Sequence, residues 1–268
     1  MIIAVDTGGT KTLVALFSMN GEMLKSQKFP TQADQKAYLA DVTSSIQQVS
    51  GDHKIDAISL ALPGVIKDQK AVICRNLGWY DFDVIGALRA TWPDTPMFLE
   101  NDANLGGLGV ANLLPDRPQS CLYLTISTGI GGGYIVNQAI DPGLSTSEFG
   151  DITFEYRLQL TSWEKIAGGK ALYTLDDSPF NDSTDSAVID EVARRISRGL
   201  MTILPILRPE VIAIGGGLGA RYDLFSQQVE KELAALPNQY HCPIITAPYP
   251  EEIVTYGCYF YAINQLSI

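Results

Sequence analysis

The chain has 268 residues, of which 46% are hydrophobic and 18% charged, so it can form one large domain or two modest ones. Its formal net charge of −11 argues against a nucleic-acid or anionic-membrane partner, because phosphate-rich surfaces are usually bound by a basic face. The start MIIAVDTGG has no basic leader, and no apolar run approaches the roughly 20 residues of a membrane span. We therefore expect a cytoplasmic protein without a membrane partner.

The first half of the chain predicts strands and helices in alternation. The expected elements are a β-meander from Met1 to Pro30, a helix within Ala33 to Ser50, a strand from Ala57 to Leu62 that ends at Pro63-Gly64, a helix from Val84 to Trp92 and a strand from Pro96 to Leu99. Apolar residues at helical spacing mark the helices, and short apolar runs mark the strands.

The second half opens with a repeat of the first pattern, since Ser120 to Ile140 again reads as strand, glycine turn and strand. The expected elements that follow are an exposed linker from Asp176 to Asp185, a helix from Ser186 to Leu207, the strand VIAIG, a helix from Asp223 to Leu236, the strand CPIIT and a last helix after Glu251. The alternation predicts an α/β architecture with two related domains.

The four cysteines are scattered along the chain and form no CxxC pair, which argues against a zinc knuckle. They are Cys74, Cys121, Cys242 and Cys258. Cysteines of this kind are most often buried free thiols, and a reducing compartment suits them.

The first glycine motif is Asp6-Thr7-Gly8-Gly9-Thr10-Lys11-Thr12, directly after an apolar strand. Glycines without β-carbons let backbone N–H groups approach an anion, and Lys11 adds a positive charge. Asp6 at the strand end is a candidate to hold magnesium through water. A plain tight hairpin explains the glycines equally well.

Two further glycine motifs lie in the second half of the chain. Ser127 to Gly133 (STGIGGG) occupies the same position in its hairpin as the first motif, and a pair of such loops suits the grip of a polyphosphate. Ile214 to Gly219 (IGGGLG) joins a strand to a helix, where a nucleoside could lie against backbone, although close packing of helix and strand is an equal alternative.

Carboxylates supply the remaining candidates. Asp102, in Leu99-Glu100-Asn101-Asp102, lies where a strand gives way to a glycine-rich helix, and a helix start favours an ionised base. A simple N-cap is the alternative there. Glu148, Asp151 and Glu164 are good acceptors for sugar hydroxyls, or else ordinary surface acids.

Taken in order, the motifs DTGGTKT, LPG, NLGW, ENDAN, STGIGGG, EFGD and IAIGGG resemble the ROK family of sugar kinases in the hexokinase-actin superfamily. The resemblance covers Asp6 to Gly217. It implies two ribonuclease-H-like domains around a central cleft, with the last helix returning to the first domain. Residues 1–105 plus 252–268 would form an N-terminal sugar-kinase domain, and residues 106–251 would form a C-terminal nucleotide-binding domain. It also implies ATP and Mg²⁺ as cofactors and a homodimer.

The resemblance assigns roles to individual positions. Asp102 would be the catalytic base, and the sugar would be bound by Gly64, Asn76, Asn101, Glu148, Asp151 and Glu164. The phosphates and the adenosine would be bound by Asp6, Gly8, Gly9, Thr10, Lys11, Thr128, Gly129, Gly131, Gly215, Gly216 and Gly217.

Two departures from the family pattern matter. Asp151 stands where the family usually has a histidine, and Arg157 to Ser162 replaces the zinc segment CxCGxxGC, so structural zinc is not expected. An ionised Asp151 only accepts hydrogen bonds, which is compatible with a polyhydroxyl sugar or a cationic amino sugar.

These residues predict ATP-dependent phosphorylation of a hexose of glucose or hexosamine type, at the 6-hydroxyl. The alternatives are polyphosphate as donor, which the net charge disfavours, a non-catalytic sugar sensor, and a sugar-independent ATPase. For a DNA-binding sensor the phosphate motif, at Asp6, leaves no room for a preceding helix-turn-helix.

Overall fold

A computed structural model describes residues 1–172 and 186–266. The chain divides into two compact units, Met1–Asn112 together with Glu252–Ile268 (unit 1) and Leu113–Glu251 (unit 2). The C-terminal segment therefore belongs to unit 1, as the resemblance implies. The first boundary follows residue 112, whereas the sequence places it after residue 105, inside a helix. The predicted linker from Asp176 to Asp185 lies outside the described residues.

Unit 1 contains β1 (Ile2–Thr7), β2 (Lys11–Phe17), β3 (Met23–Pro30), α1 (Gln35–Ser50), β4 (Ala57–Leu62), β5 (Val65–Lys67), β6 (Lys70–Cys74), β7 (Trp79–Phe82), α2 (Val84–Leu88), β8 (Met97–Asn101), α3 (Asp102–Leu113) and the C-terminal helix Ile253–Leu266. Its main sheet has the order β3-β2-β1-β4-β8. Strands β1, β4 and β8 are parallel, and β2 and β3 form the antiparallel meander. Every residue of β4 is buried, as its continuous apolar run predicts.

A small antiparallel sheet of β5, β6 and β7 follows β4, and the sequence prediction missed it. Its first turn, Asp68-Gln69, has positive φ at both residues without a glycine to mark it. Trp79 anchors the sheet, since its ring lies 4.7 Å from that of Tyr38 and its Nε1 donates to Ala33 O at 2.6 Å. This small sheet carries Asn76 to its place beside the main sheet.

Helix α2 ends at Leu88, earlier than the predicted Trp92, and the chain continues as a hydrogen-bonded turn in which the Trp92 N–H donates to Leu88 O at 3.1 Å. Helical backbone cannot continue past Trp92, because the residue before a proline disfavours it. Helix α3 packs tightly on the C-terminal helix. A β-carbon at Gly257 would overlap Leu105 O, and one at Gly109 would overlap Ile253 O. One glycine of each helix therefore allows close contact between the two helices.

Unit 2 contains β9 (Ser120–Ile126), β10 (Ile130–Val136), β11 (Ala139–Ile140), β12 (Thr153–Tyr156), β13 (Gln159–Ser162), α4 (Trp163–Ala167), α5 (Gly169–Leu172), α6 (Ser186–Leu207), β14 (Val211–Gly215), α7 (Gly216–Gly219), α8 (Ser226–Leu233) and β15 (Ile244–Thr246). Its main sheet has the order β11-β10-β9-β14-β15, with β9, β14 and β15 parallel. This order repeats that of unit 1 strand for strand, so the predicted repeat and the α/β class are confirmed.

Each unit has its own hydrophobic core. In unit 2 the core lies between the main sheet and helices α4, α6 and α8, and Trp163 is fully buried there. The predicted helix from Asp223 to Leu236 is shorter than expected, with a 3₁₀ turn at Tyr222–Leu224 before α8. In the described part of the chain, no helix is long and apolar enough to cross a membrane.

The cysteine prediction is confirmed in outline. All four cysteines are free thiols; Cys74, Cys121 and Cys258 are buried and Cys242 is half-buried.

Candidate active site

The carboxyl ends of the three parallel strands of unit 1 bring its predicted polar residues together. Asp6 of β1 lies opposite Ala61 of β4, which in turn lies opposite Glu100 of β8. The Pro63-Gly64 turn and Asn101-Asp102 follow directly at this edge. In parallel α/β sheets, ligands are usually bound at this edge of the strands.

Asp6 and Asp102 are close enough to interact electrostatically. Burial, followed by the negative charge of Asp102, raises the pKa of Asp6 to about 7, and Lys28 acts in the opposite direction. The two carboxylates therefore share one site in unit 1, where a cation would relieve their repulsion.

Asp102 is the first residue of α3, and Asn101 supplies the cap of that helix. Asn101 Oδ1 accepts the backbone N–H groups of Ala103 at 2.9 Å and Asn104 at 3.1 Å, which are typical capping bonds. Asp102 Oδ1 also accepts the N–H of Ala103, at 2.9 Å. The capping role thus falls mainly on Asn101, and Asp102 lies in the positive field of the helix start.

Three contacts hold the Pro63-Gly64 turn against its surroundings. Asn101 Nδ2 donates to Gly64 O at 2.9 Å, and the Cys74 thiol donates to Pro63 O at 2.8 Å. Gly64 has φ +93°, and a β-carbon there would overlap Ile73 O. Only glycine fits this backbone, and the turn is fixed by its neighbours.

The sequence did not predict that Cys74 contributes to this site. Burial, followed by the charge of Asp102, raises the pKa of its thiol to about 12, so the group remains a hydrogen-bond donor. Its position just before Arg75-Asn76 was the available signal. A buried cysteine so close to a predicted ligand residue can stabilise the site by a hydrogen bond, as Cys74 does here.

The first glycine loop is an exposed, braced hairpin turn. The N–H of Gly8 donates to Lys11 O at 2.9 Å, and Thr31 Oγ1 donates to Gly8 O at 2.8 Å. Gly9, Thr10 and Lys11 are exposed. A β-carbon at Gly9 would lie 3.7 Å from the β-carbon of Asn76, so Asn76 borders this loop. The hairpin interpretation is correct as a description of the backbone, and it leaves the loop accessible to an anion.

The second glycine loop is shorter than the motif that predicted it. The turn comprises Ser127, Thr128 and Gly129, with Ser127 N–H donating to Gly129 O at 2.9 Å. From Ile130 onward the chain is strand β10, so Gly131 lies within the sheet opposite Thr125 rather than in the turn. Thr128 is exposed, and Gly129 is half-buried.

The third glycine motif lies beside the second loop at the carboxyl edge of the unit 2 sheet. Gly215 of β14 is opposite Thr125 of β9, one residue before Ile126 ends that strand. A β-carbon at Gly215 would overlap the Tyr123 hydroxyl, and the backbone of Gly216 has a positive φ of +75°. A β-carbon at Gly217, in contrast, would have no atom of another described segment within 4 Å. Packing explains Gly215, and Gly217 is the position open to a ligand.

The three acidic candidates of unit 2 lie around a short 3₁₀ turn at Phe149–Asp151. Glu148 precedes this turn, and the exposed Asp151 ends it. Glu164 on α4 faces the second glycine loop, since its Oε2 accepts the Ile130 N–H at 2.9 Å. The structure thus brings Glu164 to the loop, a placement that the sequence did not predict.

This arrangement defines a class of protein with two similar units, each presenting a glycine hairpin at one sheet edge. A solved structure with the same fold is a ROK family glucokinase from Streptomyces griseus in complex with glucose and AMPPNP, with a TM-score of 0.83 at 20% identity over 98% of this chain and 99% of that one. Residues 2–262 match the ROK family model, and the chain belongs to the ROK family.

Curated relatives are sugar kinases by name. A glucokinase of Halalkalibacterium halodurans is 26% identical over 88% of this chain and 86% of its own length. An N-acetylmannosamine kinase of Yersinia pestis is 25% identical over 98% of this chain and 99% of its own length. The predicted family and the predicted enzyme class, a phosphotransferase of the sugar kinase type, are confirmed.

Proposed function

We propose that this chain transfers the terminal phosphoryl group of ATP to the 6-hydroxyl of a hexose of glucose or hexosamine type, with Asp102 as the general base. The observation that carries the proposal is the position of Asp102 at the head of α3, beside Asp6 and the braced Asn101-Gly64 pair. The names of the relatives support the sugar class.

In this mechanism, Asp102 accepts the proton of the sugar hydroxyl as its oxygen attacks the phosphorus atom, and ADP leaves. Phosphoryl transfer depends mainly on the positioning of the reacting groups and on neutralisation of charge. The fixed position of the base therefore contributes more to the rate than its basicity does. The rigid helix start fixes Asp102, and the helix dipole favours its ionised form before the proton arrives.

Sugar hydroxyls need both donors and acceptors, and the proposed residues supply both. Within the described residues, the Asn101 side chain accepts two hydrogen bonds through its oxygen and donates one through its nitrogen, so its second N–H would serve a ligand. Gly64 and Asn76 complete this group in unit 1. Glu148, Asp151 and Glu164 supply acceptors in unit 2, and Asp151 in particular would accept from a hydroxyl or an ammonium group.

The nucleotide would be held by backbone at the glycine loops. Gly8 to Lys11 supplies N–H groups and one lysine for phosphate, and Thr128 with Gly129 supplies a second loop. Beside that second loop, the half-buried Gly216 and the exposed Gly217 would offer backbone to the nucleoside. Gly131 and Gly215 would support these segments from within their strands.

The carboxylates of unit 1 fit a magnesium ion. Asp6 and Asp102 repel each other, and oxygen atoms of this kind are the ligands that Mg²⁺ prefers. Among residues 1–172 and 186–266 no group of three or more His, Cys, Asp or Glu is placed to hold a metal. Asp6 would hold the ion through water, as carboxylates do beside nucleotide phosphates. Magnesium, when bound, neutralises charge on the phosphates.

We also propose a cytoplasmic homodimer. The four free thiols suit a reducing compartment, and the family resemblance favours the dimer. Light scattering on the eluted protein checks the dimer directly.

A coupled assay of ADP release over a panel of hexoses and hexosamines tests the proposal. Wild-type protein should release ADP only with sugar, and ATP should be a better donor than polyphosphate. Asp102→Asn should abolish most turnover, and Asp52→Asn, on an exposed residue of unit 1, is the matched control. Sugar-independent release would identify an ATPase, and binding of sugar without turnover would identify a sensor; either result overturns the proposal.

A further inference from the structure

Glu164 occupies a crevice lined by three glycines of unit 2. A β-carbon at Gly129 would overlap Glu164 Oε2 and lie 2.8 Å from its carboxyl carbon. One at Gly150 would first overlap Ile130 O and would lie 3.3 Å from Oε2, and one at Gly168 would first meet Glu164 O at 2.7 Å and would lie 3.3 Å from Cγ. The three segments that meet here are the second glycine loop, the Glu148–Asp151 turn and the end of α4. Gly129 leaves the space that the carboxylate fills, whereas Gly150 and Gly168 lie closest to backbone oxygens.

Glu164 also forms a hydrogen bond with the loop, in addition to its close packing against Gly129. Oε2 accepts the backbone N–H of Ile130 at 2.9 Å, at the point where the loop becomes strand β10. On the other side, the N–H of Gly169 donates to Ser127 O at 2.6 Å. Helices α4 and α5 therefore hold both ends of the turn Ser127–Gly129, one by a side chain and the other by backbone.

We propose that Glu164 is a positioning residue for the second phosphate loop, which it holds in the shape that receives the nucleotide. This inference rests on the proposed function, and it adds a role beyond that of a sugar acceptor. Because the same carboxylate also borders Gly150, a loop shape set by Glu164 is tied to the Glu148–Asp151 turn. The glycine at position 129 is then required by the neighbouring carboxylate.

A double-mutant cycle on Gly129 and Glu164 tests the steric part without any reference to activity. Gly129→Ala should lower the melting temperature in the wild-type background, because its β-carbon meets the carboxylate. The same change should cost far less in a Glu164→Ala background, since the obstructing atoms are gone. An equal loss in both backgrounds would overturn the inference. Recovery of folding by the double variant, where Gly129→Ala alone fails to fold, would support it.

Nucleotide affinity in the absence of sugar tests the positioning role. Titration with a non-hydrolysable ATP analogue should show about tenfold weaker binding for Glu164→Ala, the scale of a lost hydrogen bond to a charged group. Glu164→Gln keeps an acceptor oxygen and should restore most of the affinity, and Glu155→Ala, on an exposed glutamate of β12, is the control.

Two results separate this inference from the proposed function. If Glu164→Ala raises only the KM for sugar and leaves nucleotide affinity unchanged, Glu164 is a sugar ligand alone and the positioning role is wrong. If the wild-type protein binds nucleotide through a loop that Glu164 supports but phosphorylates no sugar, the proposed function fails and the positioning role stands.

Discussion

The two main sheets share one strand order, but different types of residue lie at the carboxyl ends of their strands. In unit 1 the edge carries acids and amides that bond to one another, with Asn101 bracing both α3 and Gly64. In unit 2 the edge consists of glycine turns supported by α4 and α5 and, within β9, by Tyr123. Both sheets therefore present a glycine loop at this edge, and unit 1 adds hydrogen-bonded acid and amide side chains directly beside it.

This difference predicts that variants at the hydrogen-bonded acids and amides of the first edge disturb chemistry and sugar binding, and that variants at the glycine turns of the second edge disturb nucleotide binding.

The largest effect is expected for Gly64→Ala in unit 1. The new β-carbon would overlap Ile73 O in a backbone with φ +93°, so we expect a loss of about 2–4 kcal/mol in unfolding free energy. Urea unfolding measures it. Gly78→Ala is the matched control, because Gly78 has φ +68° but open space around it, and it should lose clearly less. Equal losses would mean that backbone strain alone explains Gly64.

A pair of variants at the second edge should separate packing from binding. Gly215→Ala would push against Tyr123 and should cost about 1–3 kcal/mol of stability. Gly217→Ala meets open space and should leave the melting temperature unchanged while it weakens binding of an ATP analogue. If Gly217→Ala bound nucleotide normally, backbone at this turn would not serve the ligand.

The pH dependence of stability should reveal the crowded carboxylates of the first edge. The pKa of Asp6, raised from 3.8 to about 7, means that the folded state binds a proton more tightly than the unfolded state. The resulting penalty is absent below pH 4, grows as pH rises, and is complete above pH 7. Allowing for partial exposure to solvent, we expect stability to fall by about 1–2 kcal/mol over this window.

Asp6→Asn provides the comparison for that measurement. Unfolding free energies at pH 5 and pH 7.5 should differ less in Asp6→Asn than in the wild type. A wild-type protein that gains stability over the same range, relative to the variant, would contradict the placement of Asp6 beside Asp102.

The smallest effect is expected for Cys74→Ala. It removes the thiol bond to Pro63 O and should cost about 0.5–1.5 kcal/mol, with a higher KM for sugar and an unchanged affinity for nucleotide. Cys74→Ser keeps a donor and should recover part of the loss. A change in nucleotide affinity instead would break the division of labour between the two edges.

The strands and glycine turns could be predicted because each combines an apolar run with a residue that ends it, as at Leu62-Pro63-Gly64. The strand-to-helix junction at Asp102 was predicted for the same reason. The sheet from Val65 to Phe82 could not be, since its strands are short and its turn at Asp68-Gln69 lacks glycine. The pattern of apolar residues along the chain predicts long regular elements. The three short strands β5, β6 and β7 are stabilised by packing around Trp79, which that pattern does not reveal.

The sequence indicated candidate residues for the site but not the contacts among them. The order of the motifs indicated Asn101, Asp102 and Glu164. It did not show that Asn101 caps α3, nor that Glu164 fits against Gly129, because both facts depend on tertiary structure. For Gly131 the local prediction is wrong. The run of glycines predicts a loop, whereas Gly131 pairs with Thr125 and belongs to strand β10.

The most direct test of the account is the sugar-dependent turnover of Asp102→Asn measured beside Asp52→Asn. Loss of a general base costs about 10²- to 10⁴-fold in rate, so we expect kcat to fall by that factor in Asp102→Asn, with folding and nucleotide affinity retained. Asp52→Asn should match the wild type. Full turnover by Asp102→Asn, with the same sugar and ATP, would contradict the account.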